Sequence, residues 1–573
     1  MKNKISTDLI HGTIVAPALA SATLLWLSQP PVQLWWLSFV AIVPLLLLII
    51  RETSFKRKGY VKLWCVFALY WLISLQGLRH AHPLMYGPWL ALGGYLAIYP
   101  TAFVLCSRFL YQRGMSLMVV APLVWVALEY TRNHLLTGIS VLMLGHSLMP
   151  VPILVQTADV FGSYGVGAFV MIVNLFAWQL LQYVRKRSCL RQFLTMSAFA
   201  VSVTGTVIIY GVYRMGQKTE NGLATFALIQ RNEAVEYVLD PDRQSEMFQN
   251  YVASSVDAAR STTETIDAYV WPESMYSETN PLILAETEPI PPKEFPGSPD
   301  AFKDNVNAAR DYFNRRTVAL QNKLQSEHRN STTTPELIVG CGVVNYGKNV
   351  EAYSGVVHIG SDHQVDGWYG KTHLVMFGEY IPLVPSIPGL RSLVPPGMGL
   401  QQGDGGKLMD VRGTLVAPNV CIETAVERVT VNQMNAFLEQ GRLPDVICTV
   451  TNDGWFDESS VIDHHLRCAQ MVAVACRRPI LSAANNGPTA WIDSCGRIAK
   501  RLETGTNGHL IASPARDSRI SLAARLGDMP AAATLVICVA LAICVRNRVP
   551  HTAQTPDAPD SESAESCEST AES

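Results

Sequence analysis

The stretch LVAPNVCIETA, Leu415 to Ala425, decides how this chain is read. Its apolar residues suit a short buried strand that stops at Cys421, with Glu423 two positions further on. Strand ends are where α/β sheets present functional groups, because the strand is rigid and the loop beyond it is open. A lone cysteine there is more often a packed small hydrophobe than a nucleophile. What surrounds it therefore matters.

Working outward, residues 220–515 alternate between strand-like and helix-like patterns. Short β-branched or aromatic runs occupy 224–229, 267–271, 336–341, 354–359, 414–420, 445–450, 479–484 and 488–493. Helical spacing marks 304–326, through Val306, Tyr312, Phe313, Leu320 and Leu324, and a second helix is expected over 461–476. Strands mixed with helices predict a layered α/β domain. The turns Gly360-Ser361-Asp362 and Asn485-Asn486-Gly487 predict a mixed sheet.

The rest of the chain reads differently. Only 16% of its 573 residues are charged, against about 25% in soluble domains. The deficit lies in 9–214 and near 529–545. Eight apolar runs approach membrane-spanning length: 9–28, 32–50, 61–78, 89–107, 115–131, 161–183, 194–213 and 529–545. Lys and Arg alternate across the loops. They are dense at Lys2 and Lys4, at 51–62, at Arg108 and Arg113, at 185–191, and at Arg546 and Arg548, and sparse between. That alternation predicts cytoplasmic termini and an extracytoplasmic segment between the seventh and eighth spans.

The expected organisation is a seven-helix membrane domain over 1–214, a water-exposed domain over 220–515, an eighth helix at 529–545 and a disordered acidic tail over 549–573. The loop after the fifth run is too apolar to be free, and is expected at the interface or re-entering the membrane. Glu129, Arg132 and His146 near it read first as a paired structural cluster, with lipid head-group contact as the alternative.

A net charge of −2 argues against a nucleic-acid partner. The soluble-region cysteines show no C-x-x-C spacing, so neither zinc nor a disulfide framework is expected. Asp463, His464 and His465 lack the H-E-x-x-H metal spacing, and Asp463 reads as a helix cap. No cofactor is expected.

Three polar residues follow strand-like runs: Glu273 in WPES, Lys371 in YGKTHLVMFGEYIP, and Cys421. A thiol needs a base to become a nucleophile. A buried carboxylate has a raised pKa and can take the thiol proton. An ammonium can stabilise an oxyanion. Glu, Lys and Cys together make a set of groups for acyl transfer.

The flanks of these residues resemble the nitrilase superfamily of carbon-nitrogen hydrolases. WPES, YGKTHLVMFGEYIP, VCIE and TNDGWF, followed by LRCAQMVAVACRRPILSAANNGPTAWID, match its motifs in order. The FGEYIP form, the NDGWF run and the membrane layout resemble one branch, the apolipoprotein N-acyltransferases. That resemblance implies an αββα sandwich beside the membrane helices. It also implies a two-step reaction in which Cys421 takes a fatty acyl chain from a phospholipid as a thioester. The N-terminal amine of a diacylglyceryl apolipoprotein then receives it. Glu273 is implied as base and Lys371 as oxyanion holder, with Glu379 and Glu423 in support. The implied location is a bacterial inner membrane, multi-pass, with the catalytic domain periplasmic. A monomer is the default. The chain departs from the family at Ile422, where Tyr is common, and at AYSG (Ala352–Gly355), where YNS is common. Its rivals are a membrane-tethered amidase using water as acceptor, and an inactive lipoprotein-binding scaffold. The segment 280–300 reads equally as a lid or a surface insertion.

Overall fold

The computed structural model describes residues 14–52, 55–235, 240–277, 280–284, 288–293, 295–328, 332–376, 378–380 and 399–548. The tail, residues 285–287 and 294 of the 280–300 segment, and Phe377, Ile381 and Pro382 of the lysine motif lie outside them.

The domain over 220–515 is two sheets packed face to face. One sheet is seven-stranded: β1 (Phe226–Gln230), β2 (Ala268–Trp271), β3 (Leu282–Ile283), β4 (Glu336–Tyr346), β5 (Val350–Ile359), β6 (Val365–Gly370) and β13 (Gly508–Ala512). The other holds six: β7 (Met409–Val411), β8 (Thr414–Val420), β9 (Val446–Asn452), β10 (Ile480–Asn485), β11 (Ala490–Ile492) and β12 (Ile498–Arg501). Both are mixed, as expected: β1, β2 and β4 run parallel, whereas β4–β5 and β5–β6 are antiparallel.

The period of two along each strand builds the layers. Phe226, Leu228, Val270 and Ile338 meet Val416, Val420, Val446, Cys448 and Val450 between the sheets. The alternate residues Ala227, Ile229 and Tyr269 face an outer layer containing Phe248, Tyr251, Phe313 and Leu320. Those belong to helices Pro241–Ser261 and Pro299–Glu327. On the far side Ala417, Ile447 and Ile480 meet Met434 and Phe437 of helix Glu427–Glu439, and Leu466 and Val472 of helix Ser460–Cys476. The result is an αββα sandwich.

Helix Ser460–Cys476 also turns Met471 and Val474 into the core shared with the membrane helices. It is buried nearly all round, with His464, Arg467 and Gln470 among its buried residues. Its helical start is at Ser460, after Ser459 at the N-cap position. Asp463 therefore lies inside the first turn and is not the cap, which corrects the expectation.

All eight apolar runs contain helix. Three helical stretches are long and apolar enough to cross a membrane: Pro83–Tyr111, Ala158–Val184 and Leu190–Met215. Val15–Ser28, Trp35–Ile49 and Met529–Val545 are shorter apolar helices. The expected count of about eight spans thus reaches three by this measure. The loop after helix Leu117–His134 forms short 3-10 turns at Leu144–Leu148 and Pro152–Leu154.

Two buried polar links fasten the sandwich to the membrane helices. His146 Nε2 lies 2.6 Å from Glu427 Oε1, and Ser163 Oγ donates to both Glu427 carboxylate oxygens. Arg477, fully buried, donates to Asp159 Oδ2 at 2.9 Å and to Gln156 Oε1 at 2.7 Å. Of the expected cluster of Glu129, Arg132 and His146, the first two line one cavity and His146 reaches the sandwich. His146 pairs with Glu427, and Glu129 accepts from the Leu144 N–H at 2.9 Å.

Candidate active site

Cys421 occupies the turn between β8 and the short helix Ile422–Ala425, with φ 51° and ψ −113°. A side chain bearing Cβ enters this region at a cost of about 1–3 kcal/mol, and only where the surroundings enforce it. The Cys421 N–H donates to the Val450 carbonyl at 2.9 Å. The Cys421 carbonyl accepts from His465 Nε2 at 3.0 Å, while His465 Nδ1 lies 3.3 Å from Asp453 Oδ1. Burial works against a charged His465, but the Asp453 carboxylate outweighs it and raises the pKa.

Glu273 follows β2 through Pro272. Its approach to β4 depends on Gly340, where an added Cβ would stand 2.2 Å from the Pro272 carbonyl oxygen. Ser354 Oγ donates to Glu273 Oε1 at 3.2 Å, and the Asn452 N–H donates to Oε2 at 3.3 Å. Burial raises the Glu273 pKa; Lys371 opposes that and Glu379 reinforces it.

Lys371 follows β6 and is 1% exposed. Its Nζ lies 2.6 Å from Glu379 Oε1 and 3.5 Å from Glu273 Oε1. Burial disfavours the ammonium, but Glu273, Cys421 and Glu379 together push its pKa up. The lysine stays charged. The Cys421 thiol pKa is pushed up by burial and by Glu273, against Lys371. The resting thiol therefore keeps its proton and needs a base.

The structure thus brings Glu273, Lys371, Glu379 and Cys421 together. Glu423 does something else. It is fully buried, and its Oε1 accepts from Tyr369 Oη (2.7 Å), the Thr372 N–H and Oγ1 (2.6 Å each) and the His373 N–H (3.1 Å). Its Oε2 accepts from the Val420 N–H at 2.7 Å. One carboxylate therefore ties the lysine segment to the cysteine turn. Glu423→Gln places an amide N–H against these donors, at about 1–3 kcal/mol per group left unsatisfied. A Tm lower by several degrees and a fall in kcat of tenfold or more are expected. An unchanged kcat in a folded variant contradicts the positioning role.

Ser354, Asn452, Asp453 and His465 were not assigned to the site from sequence. Asn452 and Asp453 lie within the TNDGWF motif, which marks the region. His465 lies 44 positions from Cys421, and no spacing signals their contact. Among the described residues, no three His, Cys, Asp or Glu side chains are grouped to hold a metal ion.

If Glu273 is the base, the acid limb of kcat/KM follows its ionisation. Activity is lost as pH falls through its pKa, which burial holds above the ordinary carboxylate value of about 4.3. A pH profile of kcat/KM checks this, and a limb at or below that value contradicts it.

Residues 227–524 match the carbon-nitrogen hydrolase family model, the class that this sandwich and its Glu-Lys-Cys cluster define. Residues 21–176 match the apolipoprotein N-acyltransferase N-terminal domain. The apolipoprotein N-acyltransferase of Rhodopirellula baltica is 43% identical over 540 residues, covering 90% of this chain and 94% of its own. That of Geobacter metallireducens is 27% identical, covering 84% and 85%. The chain belongs to the apolipoprotein N-acyltransferase family, and is a membrane protein with a nitrilase-like catalytic fold. An amidase from Nesterenkonia sp. matches at 13% identity and TM-score 0.33, over 52% of this chain and 91% of its own.

Proposed function

We propose that this chain transfers a fatty acyl group from a membrane phospholipid to the N-terminal cysteine amine of diacylglyceryl apolipoproteins. In the first step Cys421 Sγ attacks the ester carbonyl while its proton passes to Glu273. The oxyanion forms against the Lys371 ammonium. Its collapse expels lysophospholipid, whose alkoxide takes the proton back from Glu273, and a thioester remains. In the second step the lipoprotein amine attacks the thioester and gives a proton to Glu273. The thiolate leaves and recovers that proton. Glu379 holds Lys371, Glu423 and His465 hold the backbone, and no step calls for a metal or cofactor.

The observation that carries this reading is the seating of the Cys421 domain on apolar helices through Arg477–Asp159 and Glu427–His146. A soluble amide gives no reason for that seating, whereas two lipid-anchored substrates require it. The charge pattern of the loops supports eight spans over 1–214 and 529–545, cytoplasmic termini with the 549–573 tail, and a periplasmic face for 220–515 in a bacterial inner membrane. A monomer suffices for the reaction.

The acceptor is the test. With phospholipid labelled in its acyl chain and a diacylglyceryl lipopeptide, label is expected on the peptide amine. Label appearing mainly as free fatty acid, with the peptide unmodified, identifies an amidase-type hydrolase and overturns the proposal.

A further inference from the structure

Arg132 closes the inner side of helix Leu117–His134 and is 5% exposed. Its Nε and Nη2 have no hydrogen-bond partner. Its guanidinium stands 5.3 Å over the ring of Trp71, whose indole N–H is also unpartnered. Gln29 Oε1 and Glu129 Oε2, both buried, are unpartnered too. These four side chains line one cavity, walled by Phe67 and Phe103.

Buried polar groups are normally satisfied, and a buried cation without partners costs several kcal/mol. The unpartnered donors, Arg132 Nε and Nη2 and Trp71 Nε1, belong to two neighbouring residues that both line the cavity. Converging N–H groups around a guanidinium suit an oxyanion, and a phosphate takes such a fork well. The aromatic walls suit the apolar part of an amphiphile. The acceptors on Gln29 and Glu129 suit a hydroxyl or ammonium on the same molecule. The position fits as well. Arg428 of the sandwich donates to the Asn133 and Thr137 carbonyls, so this helix end lies directly under the catalytic domain.

We propose that this cavity binds the phosphodiester head group of a membrane phospholipid, with Arg132 and Trp71 as its donors. The inference concerns binding and stands apart from the acyl-transfer step.

The test uses the full chain carrying Cys421→Ala, so that no acyl group is transferred. It is photolabelled in detergent with a phosphatidylglycerol bearing a diazirine beside its phosphate, and the adducts are mapped by peptide mass spectrometry. Labelling of segments 57–74 and 117–134 is expected. Unlabelled phosphatidylglycerol competes with it, while diacylglycerol of the same chains and inorganic phosphate do not. Adding Arg132→Gln reduces the labelling of these segments about tenfold or more. Trp71→Phe, which keeps the ring and removes one N–H, reduces it several-fold and keeps the test open if the arginine variant does not fold. Equal competition by diacylglycerol shows an apolar pocket, and competition by millimolar phosphate shows a free-anion site. Either result overturns the proposal, as does labelling confined to the 220–515 domain.

Discussion

Cys421→Ala is expected to lower acyl transfer by about 10⁴-fold or more while leaving the fold intact. The substitution removes one sulfur from a half-buried position whose backbone is held by Val450 and His465. Those bonds are made by the main chain and survive the change. Only the nucleophile is lost. Cys421→Ser keeps a hydroxyl at the same place. It is expected to transfer far more slowly than wild type, because an alcohol is a weaker nucleophile than a thiol and is harder to deprotonate. Initial rates with phospholipid and lipopeptide measure both variants. Wild-type rates in the alanine variant contradict the role assigned to the thiol.

The second large effect is at Lys371. Lys371→Met keeps the length and apolar stem of the side chain but removes the charge shared by Glu273 and Glu379. The buried Glu273 carboxylate and the partly buried Glu379 carboxylate are then left with no cation between them. Breaking a buried pair in this way costs about 3–5 kcal/mol. Loss of the oxyanion partner costs a further factor of about 10²–10³ in rate. The variant is therefore expected to melt well below wild type and to transfer at under one hundredth of its rate. The destabilisation should shrink at acid pH, where the freed carboxylates take up protons. Thermal unfolding of the full chain at neutral and acid pH measures this. A loss of stability independent of pH contradicts the electrostatic account.

Much of the catalytic domain was legible in the sequence because its strands are buried on both faces. The runs at 414–420, 445–450 and 479–484 fall within two residues of β8, β9 and β10. Helix 304–326 starts five residues earlier and ends one later, at Pro299–Glu327. The edge strands at 409–411, 498–501 and 508–512 escaped notice. They are short and only partly apolar, and pairing rather than composition defines them. Helix Pro241–Ser261 also escaped, although Phe248, Tyr251 and Val252 repeat at helical spacing on its buried face.

The reactive trio was readable because each member follows a strand. The supporting groups were not. Glu423 reads as a neighbour of the nucleophile and proves to be a clamp on Thr372 and His373, contacts that only the packed sheets create. His465, which lacks a metal-binding spacing, fixes the Cys421 carbonyl from helix Ser460–Cys476. In the membrane region, hydropathy located helices but not their partners. The partner of His146 is Glu427, which lies 281 positions away.

The central claim is an acyl chain held on Cys421 between two substrates. Intact mass of the purified full chain, incubated with phospholipid and no acceptor, tests it most directly. A single fatty-acyl adduct is expected on wild type, labile to hydroxylamine, absent from Cys421→Ala and discharged when a diacylglyceryl lipopeptide is added. No adduct on wild type under conditions where phospholipid binds, or an adduct that the lipopeptide leaves in place, contradicts the two-step reaction.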